Sequence, residues 1–461
     1  MSNEDMTTME TLVSLAKRRG FIFPGSEIYG GLAGTYDYGP LGSLLKENIK
    51  QSWLNKFVHS RTDMYLVDAA ILMNPKVWEA TGHVDEFNDP LVDDLKTNKR
   101  YRADHLLEEH GITDAESLTP KEMTAKIQEL GIKSPDGNEL GEVRQFNMML
   151  STKIGAADDS ASTTYLRPET AQGIFVNYKN VVDSMSPKMP FGIAQTGKAF
   201  RNEITPRDFI FRVREIEQME IEYFVHPEKW EDYFVYWHDE MLEWMESIGL
   251  DMTKVHDVEI DEDARAHYSK RTTDFEFDFP FGQKELYGLA YRTDYDLKKH
   301  TEFSKQKLQY TDQSTNETFV PHVIEPSFGL DRSVLAVLLS AYREDEMNGE
   351  KRIFLKLAPQ IAPYKIAVSP LLKNKEQLVE KARDVFIALK DTFGNVVWDD
   401  NGNIGKRYRR QDEIGTPFCV VVDFETLEDD TGVTVRDRDT GEQERVMVEE
   451  MEDYFMDKLS Q

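Results

Sequence analysis

Apolar residues recur along this chain at two periods, and the period changes from region to region. Leu12, Leu15 and Ala16 fall at helical spacing between Glu10 and Arg19. The stretch from Gly25 to Pro40 is rich in Gly and Tyr and predicts turns and short strands. Leu44, Leu45, Ile49, Trp53 and Phe57 then share one side of a helix expected over 41–58. A strand-like run over 64–72 follows and ends at Asn74-Pro75. Period-two alternation returns over 192–204, 210–224, 272–279 and 285–293, with an aromatic-rich helix expected over 229–248. After Pro321 the pattern is strand, glycine turn and apolar helix, through Tyr342.

Two regions break this texture. Residues 87–160 are charged, helical in pattern and poor in β-branched runs. They predict a charged helical insertion facing solvent within a larger domain. Pro359 and Pro363 mark a linker. Beyond it, strands expected at 365–368, 396–398 and 418–423 alternate with helices at 375–393 and 404–414. Two further strands around 432–448 and a final helix from 449 complete an α/β layer with a parallel or mixed sheet. The expected units are therefore 1–86 with 161–358, the insertion 87–160, and 362–461.

Composition narrows the function. The 461 residues carry 55 Lys and Arg against 84 Asp and Glu, a net charge of −29. Bulk electrostatics cannot hold such a chain on duplex DNA, although a local basic patch can hold a nucleic acid. One cysteine, Cys419, excludes an internal disulfide framework and a Cys-rich zinc site. The polar, acidic first residues and the shortness of every apolar run predict a soluble cytoplasmic protein with no membrane partner.

One phosphate motif has to be refused. Gly192-Ile193-Ala194-Gln195-Thr196-Gly197-Lys198 has P-loop spacing, but Ala199 stands where the magnesium-binding hydroxyl belongs. The following residues alternate like a strand, whereas a P-loop opens a helix. Any nucleotide chemistry must use another architecture.

The candidate chemistry lies in the hairpin expected from Lys198 to Phe224, turning at Thr205-Pro206-Arg207-Asp208. One face of its second strand carries Phe211, Val213, Met219, Ile221 and Tyr223; the other carries Arg212, Arg214, Ile216, Gln218, Glu220 and Glu222. Arg201 and Glu203 share a face of the first strand. Arginine forks suit phosphate oxygens, and carboxylates suit an ammonium, an amine or Mg²⁺. A solvated face with cross-strand ion pairs fits the same pattern. A second element, Val323 to Leu335, places Arg332 at a helix start, where a triphosphate end can bind.

Together these elements resemble the second and third signature motifs of class II aminoacyl-tRNA synthetases. The first begins Phe200-Arg201-Asn202-Glu203; the second is Gly329-Leu330-Asp331-Arg332; residues 41–75 match the first motif of the class. Tyr165-Leu166-Arg167-Pro168-Glu169-Thr170-Ala171-Gln172-Gly173, Arg212-Val213-Arg214-Glu215, Glu217-Gln218-Met219-Glu220 and Glu325-Pro326-Ser327-Phe328 resemble the homodimeric glycyl-tRNA synthetase family more closely. The resemblance spans nearly the whole chain.

The resemblance implies an α+β catalytic domain on an antiparallel sheet, with a C-terminal α/β anticodon-binding-type domain. It implies ATP as substrate, Mg²⁺, glycine, a glycine-accepting tRNA and a homodimer. By resemblance Arg201 holds the α-phosphate, Arg332 the γ-phosphate, Glu203 the adenine amine, and Glu285 the Mg²⁺ beside Leu286. The ATP site would also include Asn202, Phe211 to Ile216 and Gly329 to Asp331. The glycine site would comprise Arg100, Glu169, Glu217 to Ile221 (with Gln218, Met219 and Glu220) and Glu325 to Gly329. Lys406, Arg407, Arg409 and Arg410 are candidate tRNA contacts. Two departures stand out: Ile216 occupies the position where many relatives stack an aromatic on adenine, and Asp331 replaces a common Glu. A synthetase for another amino acid, or a tRNA-binding paralog without catalysis, are the competing readings. Neither accounts as well for the acidic set together with intact phosphate arginines.

Overall fold

The computed structural model describes residues 3–112, 115, 118–155, 163–262, 265, 266, 268–347, 349–428 and 431–460. Its largest sheet has seven strands. In chain order they are β1 (Met64–Leu66), β2 (Phe191–Phe200), β3 (Glu215–Val225), β4 (Val255–Glu259), β5 (Arg271–Phe279), β6 (Gly282–Thr293) and β7 (His322–Gly329). They lie in the order β4-β5-β6-β7-β3-β2-β1. All neighbours are antiparallel except β1 and β2.

One face of this sheet is apolar. Met219, Ile221 and Tyr223 of β3 and Ile324 and Phe328 of β7 alternate onto it. Three helices cover that face: α2 (Pro40–Leu54), α4 (Trp230–Ser247) and α6 (Leu330–Ala341), with α1 (Asn3–Arg19) preceding them. Helix α2 begins on proline, which suits a first turn, and buries Leu41, Leu45, Ile49 and Trp53 at one-turn spacing. The Trp53 ring meets Phe328 edge-on at 5.9 Å. The opposite face carries Gln218, Glu220 and Glu222, so a core on one side leaves a polar floor on the other. Helices α3 (Ala171–Met185) and α5 (Tyr295–Ser304) close part of that floor.

The predicted hairpin is real but shorter. The first strand ends at Phe200 rather than 204, and the second begins at Glu215 rather than 210. Asp208 and Phe209 both adopt positive φ, at 61° and 58°, which breaks the extended pairing. Arg201, Glu203, Arg212 and Arg214 therefore stand on loop backbone, not on alternating strand faces. The refused phosphate motif runs straight through β2. Its glycines serve packing: a Cβ at Gly192 would overlap the Met64 sulfur, and one at Gly197 the Arg167 guanidinium.

The insertion is not simply helical. It pairs strands Asn88–Asp93, Arg100–Arg102 and Arg144–Asn147 into a sheet beside helices Ala103–Glu108 and Pro120–Glu129. Val92, Leu106, Leu107, Met123 and Ile127 give it a core of its own. Its last expected residues, 156–160, lie outside the described residues.

The C-terminal unit holds β8 (Ile366–Pro370), β9 (Val396–Trp398), β10 (Phe418–Val422), β11 (Val433–Asp437) and β12 (Gln443–Val446). Their order is β9-β8-β10-β11-β12; the first three are parallel and the last two antiparallel. Helices α7 (Glu376–Phe393), α8 (Ile404–Ile414) and α9 (Met451–Ser460) accompany the sheet. The expected linker is packed rather than free. Ile361 and Ala362 are buried, and the Asn48 amide donates to both carbonyl oxygens at 3.2 and 2.9 Å. No described helix is long and apolar enough to cross a membrane.

Candidate active site

A cleft of about 380 Å³ opens on the polar floor, between β3, β5, β6 and β7 and the 201–214 loop. Its two ends differ in charge. Arg201, Arg212 and Arg332 line one end, with Glu203 among them. Arg201 Nε donates to the Pro168 carbonyl at 3.1 Å, and its guanidinium stands 5.7 Å from the Phe87 ring. Arg332 leaves the first turn of α6, lies 4.4 Å over the Phe211 ring and donates to the Glu285 carbonyl at 2.8 Å. Its Nη1 is 3.2 Å from the Glu285 carboxylate, and this cation holds that carboxyl below the usual range. Burial pulls the Arg212 guanidinium down, with Arg102, Arg207 and Arg332 adding to the shift. Such a concentration of guanidinium groups fits a polyanion. Phe211, Val213, Ile216 and Leu286 supply apolar walls beside it.

The other end is acidic. Glu169, Glu220, Glu325 and Ser327 line it. Glu220 accepts from the Thr170 hydroxyl at 2.5 Å and the Ser327 hydroxyl at 3.0 Å. Glu325 accepts from Arg292 Nη1 at 2.8 Å; Arg292 also grips both oxygens of Asp296, at 2.9 and 3.0 Å. Gln172 donates to Glu169 at 3.0 Å and to Asp296 at 2.9 Å. Burial works against ionisation of Glu169, yet His83 at 3.4 Å, Arg292 and Gln172 hold its carboxyl well below the ordinary range. Burial and Glu169 push Glu220 up. The pocket is thus short of positive charge and suits a small cation with N–H donors.

Residues 152–342 match the family described as tRNA synthetase class II core domain (G, H, P, S and T), and residues 365–458 match the anticodon binding domain. A glycine–tRNA ligase of Bacillus anthracis is 50% identical over 98% of this chain and 100% of its own length. The glycine–tRNA ligase of Alkaliphilus metalliredigens is also 50% identical, over 98% of this chain and 100% of its own. That of Macrococcus caseolyticus is 51% identical over 98% of each. The chain belongs to the glycine–tRNA ligase family.

Within that family frame, the expected site residues separate by placement. Arg201, Glu203, Phe211, Arg212, Val213, Ile216, Glu285, Leu286, Gly329 and Arg332 reach the arginine-lined end of the cleft, and Glu169, Gln218, Glu220, Glu325 and Ser327 the acidic end. Several others do not. Met219, Ile221, Phe328 and Leu330 are core residues on the opposite side of the sheet. Pro326 shares their register on β7 and does not line the cleft. Asn202 is tied through its backbone to Met148 at 2.8 Å, Glu215 pairs with Lys198 at 3.0 Å, and Arg214 spends its donors on the Glu203 and Ala33 carbonyls. Arg100 is mostly exposed on the insertion, 3.6 Å from Asp93, away from the cleft lining. Asp331 and Glu217 border the cleft, but their carboxylates point back toward α2. Asp331 accepts from Tyr38, Lys46 and the Glu217 N–H at 2.6, 2.8 and 2.7 Å, and Glu217 pairs with Lys46 at 3.1 Å.

The basic cluster on α8 is not one surface. Arg407 is buried and donates to the Pro370, Asp400 and Gly402 carbonyls. Arg409 pairs with Glu350, and Arg410 with Asp399 at 2.9 Å. Lys406 is exposed.

Sequence reasoning missed Arg292, Asp296 and Gln172. Gln172 and Thr170 lay within a motif whose register was readable. Arg292 carried no local signal; only the pairing of β6 with β7 brings it beside Glu325.

Proposed function

We infer that this chain activates glycine with ATP and transfers it to the 3′ end of tRNA. The observation that carries the reading is one sheet face joining an acidic pocket to an arginine-lined cleft. In the first step a glycine carboxylate oxygen bonds the α-phosphorus as the bond to pyrophosphate breaks. In the second a tRNA ribose hydroxyl takes the glycyl carbonyl and AMP leaves. No covalent enzyme intermediate is needed, only alignment and charge stabilisation.

In this reading Arg201 neutralises the α-phosphate and Arg332 the γ-phosphate, while Glu203 accepts from the adenine amine. For the base the cleft offers the apolar walls Ile216 and Leu286, since the Phe211 ring is already covered by the Arg332 guanidinium. Glu169, Glu220, Glu325 and Ser327 receive the ammonium group, and the three glutamate side chains occupy the space a substrate side chain would need. For Mg²⁺ the donor chemistry fits: Glu285 lines the cleft beside Asp274, whose carboxyl is pushed up to about 7 by burial and then by Glu285 and Glu276. Glu285 and Asp274 would hold the ion, which when bound neutralises charge on the phosphates.

The homodimer and the cytoplasmic setting belong to the same proposal. Ile28, Tyr29 and Leu32 stand exposed on the glycine-rich loop, an apolar surface of the kind a second copy covers. The single, buried cysteine suits a reducing compartment. The test is ATP–pyrophosphate exchange with purified protein across glycine, alanine, serine, threonine and proline. Exchange with glycine alone supports the pocket assignment. Exchange with another amino acid sinks it.

A further inference from the structure

One acidic side chain beneath the pocket has no task in the reaction described. Glu222 lies one pleat beyond Glu220 on the same face of β3, with 0% exposure. Among the described residues neither of its carboxyl oxygens has a hydrogen-bond partner. Glu220, Glu222 and Glu325 each place one oxygen within 4.8 Å of the others. Glu220 is held by two hydroxyls and Glu325 by Arg292.

The charged groups facing Glu222 come from four elements: Glu220 on its own strand, Glu325 on β7, Arg292 on β6 and Asp296 on α5. These four carboxyls, with Glu169 as a fifth, thus share the Arg292 guanidinium in a buried space. Like charges this close cannot all persist, and one proton relieves the excess. It rests most cheaply on the group that has neither a cation nor a donor, which is Glu222. Burial, then Glu325, push its carboxyl well above the ordinary range. A neutral carboxyl has one O–H to give, and an oxygen of each of the other two carboxyls lies within 4.8 Å.

We propose that Glu222 is a proton-carrying positioning residue, whose neutral carboxyl spares the pocket a further negative charge, donates its one O–H to the Glu220 or the Glu325 carboxylate, and so holds the pair for the substrate's ammonium group. The inference rests on the reading of this pocket as the glycine site.

The test uses the full-length protein and glycine-dependent ATP–pyrophosphate exchange. Glu222→Leu should raise the KM for glycine at least tenfold and leave the KM for ATP within twofold. Glu222→Gln, which keeps a donor without charge, should bring the glycine KM back to within threefold of the native value. Should Glu222→Leu fail to fold, an infrared carboxylic-acid band at neutral pH, absent from Glu222→Gln, is the expected signature. Its absence from the native protein overturns the proposal. So does a Glu222→Leu protein with native glycine KM. A Glu222→Gln protein as impaired as Glu222→Leu overturns it too, because the ionised carboxylate would then be what is used, as by a bound cation. Glu325→Gln separates the two levels. If that change also leaves the glycine KM untouched, the pocket reading itself has failed.

Discussion

Asp331 and Arg332 are chain neighbours with opposite duties. Asp331 turns inward and satisfies Tyr38, Lys46 and a backbone N–H, all within 2.8 Å. Arg332 turns into the cleft. Asp331→Ala leaves the buried Lys46 with Glu217 as its one remaining carboxylate among the described residues, beside the Tyr38 ring at 4.3 Å. It should cost roughly 3 kcal/mol in urea unfolding, the scale of a broken buried pair. Arg332→Ala should instead lower kcat for glycine-dependent exchange by about 10²–10³, the scale of losing one transition-state charge donor, with the melting temperature little changed. A large stability loss in Arg332→Ala, or none in Asp331→Ala, would reverse this division. The motif Gly-x-x-Arg was readable in sequence. The direction of each side chain was not, because it depends on how the start of α6 docks against α2.

Alternation along β3 was legible for the same reason that it is physically enforced. Met219, Ile221 and Tyr223 must face the helices, so Gln218, Glu220 and Glu222 must face the polar side, where the first two line the cleft. The 201–214 segment escaped, since two consecutive positive-φ residues are not encoded by any period. The insertion escaped because short strands carry little alternation, yet its Asp89 and Arg102 interact electrostatically with Glu203 and Arg212 of the cleft. Its Asp89 and His105 carry opposite pH signatures there. Burial pushes Asp89 up to about 6, with Glu203 and Asp104 adding to it against Arg102. Its contribution is complete below about pH 4 and is lost as pH climbs through about 6. Burial, then Arg102, pull His105 down to about 4, although Asp104 opposes. Its native state binds fewer protons than the unfolded chain between about pH 4 and 6.5, so stability rises with pH there. Relative to the native protein, Asp89→Asn should therefore tilt the stability curve upward across this window, and His105→Gln downward. Chemical denaturation at pH 4.5, 5.5 and 6.5 measures both, and tilts of the same sign would refute the assignment.

A molecule of net charge −29 must still hold a polyanion. At physiological salt, charges beyond about 8 Å are screened, so association depends on local cations rather than on the whole field. Helix α8 shows how few of its basic residues qualify. Positions 406 and 410 share a face at four-residue spacing, whereas position 407 is turned by about 100°; that much the sequence period could have told. The remaining step needed the fold, which spends Arg410 on Asp399 and Arg409 on Glu350. Lys406 is left as the exposed candidate, and Arg407 becomes a clamp for three carbonyls. Two consequences separate them. Arg407→Ala should destabilise the C-terminal unit by about 2–3 kcal/mol, because buried acceptors lose a charged donor. Lys406→Ala should leave folding intact, weaken tRNA binding, and reduce the slope of log KM for tRNA against log salt by about one, the signature of one lost phosphate contact. Glycine-dependent exchange makes the control, since its small substrates engage only the cleft. An unchanged tRNA slope in Lys406→Ala would remove α8 from the interface and leave the tRNA to cations elsewhere on the chain.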